Sequence, residues 1–119
     1  MKELIQLVRN FRADRPVMND HNADPRAVVN LLGNEVDELI DAVKAGEGIG
    51  GELADVFWFM IEAADTLGVD LEKEIREKAC RNYLKYPAKE LQSGDYDEIV
   101  TRLKVQWFQS EGDKQFYDQ

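Results

Sequence analysis

From Lys2 to about Arg12 the apolar residues Leu4, Ile5, Leu7, Val8 and Phe11 recur at i, i+3, i+4 and i+7, the period of an amphipathic helix. The next stretch, RPVMNDHNAD from Arg15 to Asp24, is rich in turn formers and predicts a loop. Asp24 followed by Pro25 then opens a second helix, because an aspartate can cap free N–H groups and proline suits the first helical position. That helix should run to about Ala45, with Leu32, Val36, Leu39 and Val43 as its buried stripe. Gly46, Gly48, Gly50 and Gly51 predict its end and the turn that follows.

A third helix, Glu52 to Leu67, is apolar nearly all round in its first half, from Leu53 through the run VFWFMI, which marks a central helix. Trp58, inside that run, is expected in the core. Glu52, Asp55 and Glu62 fall close to one line, so one stripe stays polar. Gly68 predicts the C-cap, and Asp70 the N-cap of a fourth helix from Leu71 to about Lys85, stopped by Pro87. Cys80 is expected to face the interior of that helix as a small apolar residue. Ala88 to Asp95 predicts a linker. A fifth helix, about Tyr96 to Gln109, carries Ile99, Leu103, Val105, Trp107 and Phe108, the last two expected to dock the final helix or form an interface. The pattern predicts an all-α fold, a bundle of about five helices in one domain over residues 1–119.

Composition narrows the class. With 44% hydrophobic and 33% charged residues and three prolines, the chain suits one compact helical domain with a modest core. A net charge of −9 argues against nucleic acid or an anionic membrane as partner, since both want basic patches. The longest apolar run is far shorter than the ~18 residues a membrane span needs. Cys80 is the only cysteine, which excludes an internal disulfide and a cysteine-based zinc site. The N-terminus, MKELIQLVRNF, lacks the apolar core of a signal peptide, so a reducing, cytoplasmic location is expected.

The chemistry concentrates between Asn34 and Asp55. Glu35 with Glu38, and Glu52 with Asp55, are two acidic pairs at i, i+3. Such pairs share one helix face, and an antiparallel hairpin through the glycine-rich turn would bring all four carboxylates together. Acidic residues make up 24 of 119, so chance alone supplies pairs at this spacing, and a solvated acidic face is the simple alternative. Against it, carboxylates ~6 Å apart at an effective dielectric of ~20 repel by roughly 2–3 kcal/mol per pair. After Arg26, the two helices offer only Lys44 to offset that. All-oxygen ligation suits a hard cation such as Mg²⁺, with Mn²⁺ as a substitute. On the fourth helix Lys78, Asn82 and Lys85 fall at i, i+4 and i+7, a face fit for phosphate oxygens or else an exposed charged face paired with Glu74 and Glu77.

Together these residues resemble the all-α nucleoside triphosphate pyrophosphohydrolase superfamily, the MazG-like proteins and their dCTP pyrophosphatase relatives. The superfamily's E-x2-E, spacer, E-x2-D signature stands here as Glu35, Glu38, Glu52 and Asp55. Pro25-Arg26, ELADV from Glu52 and KACRNYLKYP from Lys78 look closest to the dCTP branch, with phosphoribosyl-ATP pyrophosphohydrolases second. The resemblance covers roughly residues 25–87; Asn34 and Lys85 depart from the usual acid and arginine, and the segment after Gly94 has no counterpart.

The resemblance implies Mg²⁺-dependent cleavage of a (d)NTP between the α and β phosphates, a nucleotide-pool house-cleaning activity. It implies metal ligation by Glu35, Glu38, Glu52 and Asp55, with Glu38 as the catalytic carboxylate. Lys78, Asn82 and Lys85 would bind phosphate, and the working unit would be a homodimer or homotetramer. Tyr86 is a candidate base contact, as is His21, for which an exposed loop histidine is the simpler alternative. A helical module that binds metal, nucleotide or a partner without catalysis is the competing class.

Overall fold

A computed structural model of the chain describes residues 1–18 and 24–118. Among these it contains six α-helices and no strand: α1 (Lys2–Ala13), α2 (Pro25–Ala45), α3 (Ile49–Leu67), α4 (Leu71–Lys85), α5 (Tyr96–Gln109) and α6 (Gly112–Tyr117). They fall into two compact units, Met1–Glu72 and Lys73–Gln119, with α4 beginning in the first and ending in the second.

In the first unit, α2 starts as its sequence predicts. The Asp24 carboxylate accepts from the Arg26 N–H at 2.9 Å, and Pro25 occupies the first turn. The turn is shorter than the glycine spacing suggests. Gly46 and Gly48 adopt left-handed backbone (φ +75° and +73°), which a side chain would resist, and reverse the chain around Glu47. Gly50 and Gly51 lie inside the first turn of α3, which therefore begins at Ile49 rather than Glu52. The close connection lays α3 back along α2, and these two helices make the most extensive packing in the unit.

The core lies to one side of this hairpin, where α1 crosses the second half of α3. Ile5, Val8 and Ile61 are buried together, with Phe57 and Trp58 packed against them and Phe11 meeting Trp58 edge to face at 5.2 Å. Trp58 is thus part of the core, as its place in the apolar run predicts. Two expectations fail. Val36 and Val43, assigned to the buried stripe of α2, are 39% and 59% exposed, and in α3 the buried residues are Ile61 to Ala64 rather than the apolar first half. A stripe of apolar side chains reports a surface that prefers cover, and a single hairpin covers only part of it. Glu62, expected on a polar stripe, is buried and meets Arg12 at 3.2 Å.

In the second unit, the linker after Pro87 contains a short 3₁₀ helix, Ala88–Leu91, held to α5 by Arg102 donating to Glu90 at 3.0 Å. Asp95 caps α5 by accepting from the Glu98 N–H at 2.8 Å. The sequence pattern missed α6. Its entry residue Glu111 takes a left-handed conformation (φ +56°), and Gly112 lies against the Trp107 indole, where a Cβ would collide with the ring. Trp107 thus docks the last helix, while Phe108 is 84% exposed. Cys80 is exposed rather than interior, because α4 has no buried residue for it to join.

Candidate active site

The E-x2-E pair lies mid-way along α2 and the E-x2-D pair on the first turns of α3. At 3.6 residues per turn, each pair presents both carboxylates on one face, and the hairpin turns those faces toward each other. One carboxylate oxygen from each of Glu35, Glu38, Glu52 and Asp55 lies within 4.8 Å of the others. Glu35 and Glu52 are half-buried, Glu38 and Asp55 exposed, so the cluster has a dry side and an open side.

Its electrostatics are strained. Glu35 titrates above the ordinary carboxylate value, first because burial strips its water, then because Glu38 hydrogen-bonds and repels it, with Asp55 and Glu52 adding repulsion. Glu52 is raised in the same direction by desolvation, then by repulsion from Glu38 and Asp55. Glu38 hydrogen-bonds to both inner acids, whereas Asp55 acts on them by repulsion alone. Among the described residues no lysine or arginine pairs with any of the four. One oxygen of Glu35 and one of Glu52 (Oε2 in each) are buried without a hydrogen-bond partner. Buried carboxylate oxygens without a hydrogen-bond donor, in a cluster of four acids, want a cation, and four hard oxygen donors suit a divalent ion of the Mg²⁺ type.

The other predicted site residues lie in the second unit or outside the described chain. Lys78 is exposed on α4, and Asn82 and Lys85 are half-buried on the same helix. Tyr86 follows directly, its N–H donating to the Asn82 carbonyl at 2.8 Å while Lys85 Nζ lies 5.4 Å from its ring centre. His21 lies outside the described residues.

Sequence reasoning missed the support behind the acids. Arg9 makes a two-point bridge to Asp65, Nε to Oδ2 at 3.1 Å and Nη2 to Oδ1 at 2.7 Å, while Arg12 pairs with Glu62 and reaches Asp65 at 3.6 Å. The signal was available: two arginines at i, i+3 on α1 match two acids at i, i+3 on α3. These bridges fix the second half of the helix whose first half carries Glu52 and Asp55.

A family model described as phosphoribosyl-ATP pyrophosphohydrolase matches residues 1–82, whereas no curated protein and no solved structure matches the chain. The match takes in α1 and both acidic pairs, ends before Lys85, and names the branch that the sequence motifs placed second. Within the all-α, MazG-like superfamily that the acidic signature indicates, the chain belongs to the phosphoribosyl-ATP pyrophosphohydrolase family, hydrolases that act on phosphoric anhydride bonds.

Proposed function

We propose that the protein is a Mg²⁺-dependent pyrophosphohydrolase that cleaves a nucleoside triphosphate group between its α and β phosphates, releasing pyrophosphate. The observation that carries this reading is the four-carboxylate cluster, with two orphaned buried oxygens and, among the described residues, no protein cation paired with it. Glu35, Glu38, Glu52 and Asp55 would hold the ion, which when bound polarises phosphoryl oxygens and acidifies water. Glu38 is exposed and borders both inner acids, so it is placed to orient a water and take its proton. Lys78, Asn82 and Lys85 supply two cations and an amide from one face of α4 for phosphate oxygens as charge moves to the leaving group. Tyr86 and His21 are assigned to the base.

Two substrates are supported by different observations. The family match favours phosphoribosyl-ATP, and the KACRNYLKYP block favours a (d)NTP. The deciding experiment incubates the protein with Mg²⁺ and each of phosphoribosyl-ATP, the common NTPs and the dNTPs, and separates products by ion-exchange chromatography. Pyrophosphate with the corresponding monophosphate supports the reading, and the rank order names the substrate. Orthophosphate with a diphosphate would overturn it.

The active unit is proposed to be a cytoplasmic homodimer or homotetramer. Val29, Val36 and Val43 on α2 and Leu53, Met60 and Leu67 on α3 recur every seventh residue, and each is more than a third exposed. Heptad stripes of this kind pack against other helices. A monomer in sedimentation equilibrium would remove this part of the proposal.

A further inference from the structure

The C-terminal segment beyond the family match carries a feature of its own. A cleft of about 750 Å³ opens where α5 turns into α6, lined by Lys85, Lys104, Lys114, Trp107 and Phe108 among others. Its volume falls in the range of small-molecule sites. The lining carries three lysines against two acids, Glu111 and Asp113, a slight positive balance in a chain of net charge −9.

The acids at this cleft are already engaged. Asp113 accepts from Trp107 Nε1 at 2.8 Å and faces Arg81 at 3.6 Å, while Glu111 lies 3.9 Å from Lys114. Lys85 and Lys104 have no carboxylate partner among the described residues. The frame around them is fixed: Gly112 sits against the Trp107 ring, and Arg81 donates to the Tyr117 hydroxyl at 2.6 Å, tying α6 to α4. Within this frame the Phe108 ring is 84% exposed. Unpaired ammonium groups beside an open aromatic ring are what an anionic ligand with a flat ring requires, since lysine binds phosphate as a point charge and a base stacks on an aromatic face.

We propose that this cleft binds a nucleoside polyphosphate without a divalent metal, its phosphates on Lys85, Lys104 and Lys114 and its base against Phe108. The ligand is a nucleotide that regulates the enzyme, distinct from the substrate, whose base is assigned to Tyr86 and His21. Binding through lysines needs neither hydrolysis nor the carboxylate cluster, so the inference stands or falls separately from the proposed reaction.

The test is isothermal titration of the intact protein with ATP in EDTA, repeated with AMP and with tripolyphosphate. ATP should bind saturably at one site per chain, and Lys104→Gln and Phe108→Ala should each weaken it by about ten-fold. Both side chains are exposed, so the variants should fold as the parent does. Glu38→Gln and Glu52→Gln should leave the affinity unchanged. AMP binding comparable to ATP would overturn the polyphosphate assignment, and tripolyphosphate binding as tight as ATP would overturn the role of the base. No heat with ATP, a titration unaltered by Lys104→Gln, or one abolished by the carboxylate variants would overturn the site. Binding of the phosphoribosyl-ATP and (d)NTP substrates of the hydrolysis assay in EDTA in the order in which they are cleaved would overturn the regulatory assignment; an unrelated order supports it.

Discussion

Arg12 Nε and Glu62 Oε1 lie 3.2 Å apart with 14% and 7% of their side chains exposed, a nearly dry ion pair joining α1 to α3. Removing one partner from such a pair strands the other charge, whereas replacing both by apolar groups removes the desolvation cost as well. Arg12→Met should therefore destabilise the fold by about 3–5 kcal/mol, and adding Glu62→Met should recover most of that loss. Urea unfolding of the two single variants and the double variant measures the coupling. Additive losses would mean that the pair contributes little beyond packing.

How legible this was in the sequence differs by residue. The start of α2 followed from Asp24-Pro25, because capping is local chemistry between neighbours. The four acids were legible for the same reason, since i, i+3 spacing and a short turn fix their faces. What the pattern did not give was depth. Val36 and Val43 have the spacing of core residues yet are exposed, and Cys80 was expected inside but lies on the surface, because burial depends on which partner covers a face. The docking of α6 was hidden too, since it rests on one glycine under one tryptophan, a contact that no periodicity announces.

That contact can be tested against glycines of another kind. A methyl group at Gly112 would meet the Trp107 ring, so Gly112→Ala should cost about 1–3 kcal/mol or release α6 from α5. Gly50 and Gly51 are helical with open space where a Cβ would stand. Alanine at either should stabilise by about 0.5–1 kcal/mol. Thermal melts compare the three; a Gly112→Ala protein as stable as the parent would contradict the docking described above.

Glu38 is the acid whose replacement should separate binding from turnover. Glutamine keeps its size and one oxygen acceptor but can no longer take a proton. Glu38→Gln should lower kcat by about 10²–10⁴-fold, with KM changed far less. Glu52→Gln, by removing charge from a half-buried acid of the proposed metal cluster, should instead raise the Mg²⁺ concentration needed for activity. Steady-state rates across a Mg²⁺ titration distinguish the two, and an unchanged rate for Glu38→Gln would take the proton-accepting role away from that residue.

Protons and metal should compete for the same cluster. Glu35 and Glu52 titrate above the ordinary 4.5, so the metal-free folded protein holds protons there that the unfolded chain has released. Their contribution to stability is therefore fully present below the ordinary carboxylate range and is lost as pH rises through the raised folded values. A divalent ion held there would engage the deprotonated acids and relieve the same repulsion, so its stabilising effect should grow over the interval in which the proton's fades. Melting temperatures with EDTA and with Mg²⁺, at about pH 5 and about pH 8, test this directly. The Mg²⁺-induced rise should be small at the acid end and larger at the alkaline end, and Glu35→Gln should shrink the difference. Equal rises at both pH values would mean that the ion binds somewhere other than these four carboxylates.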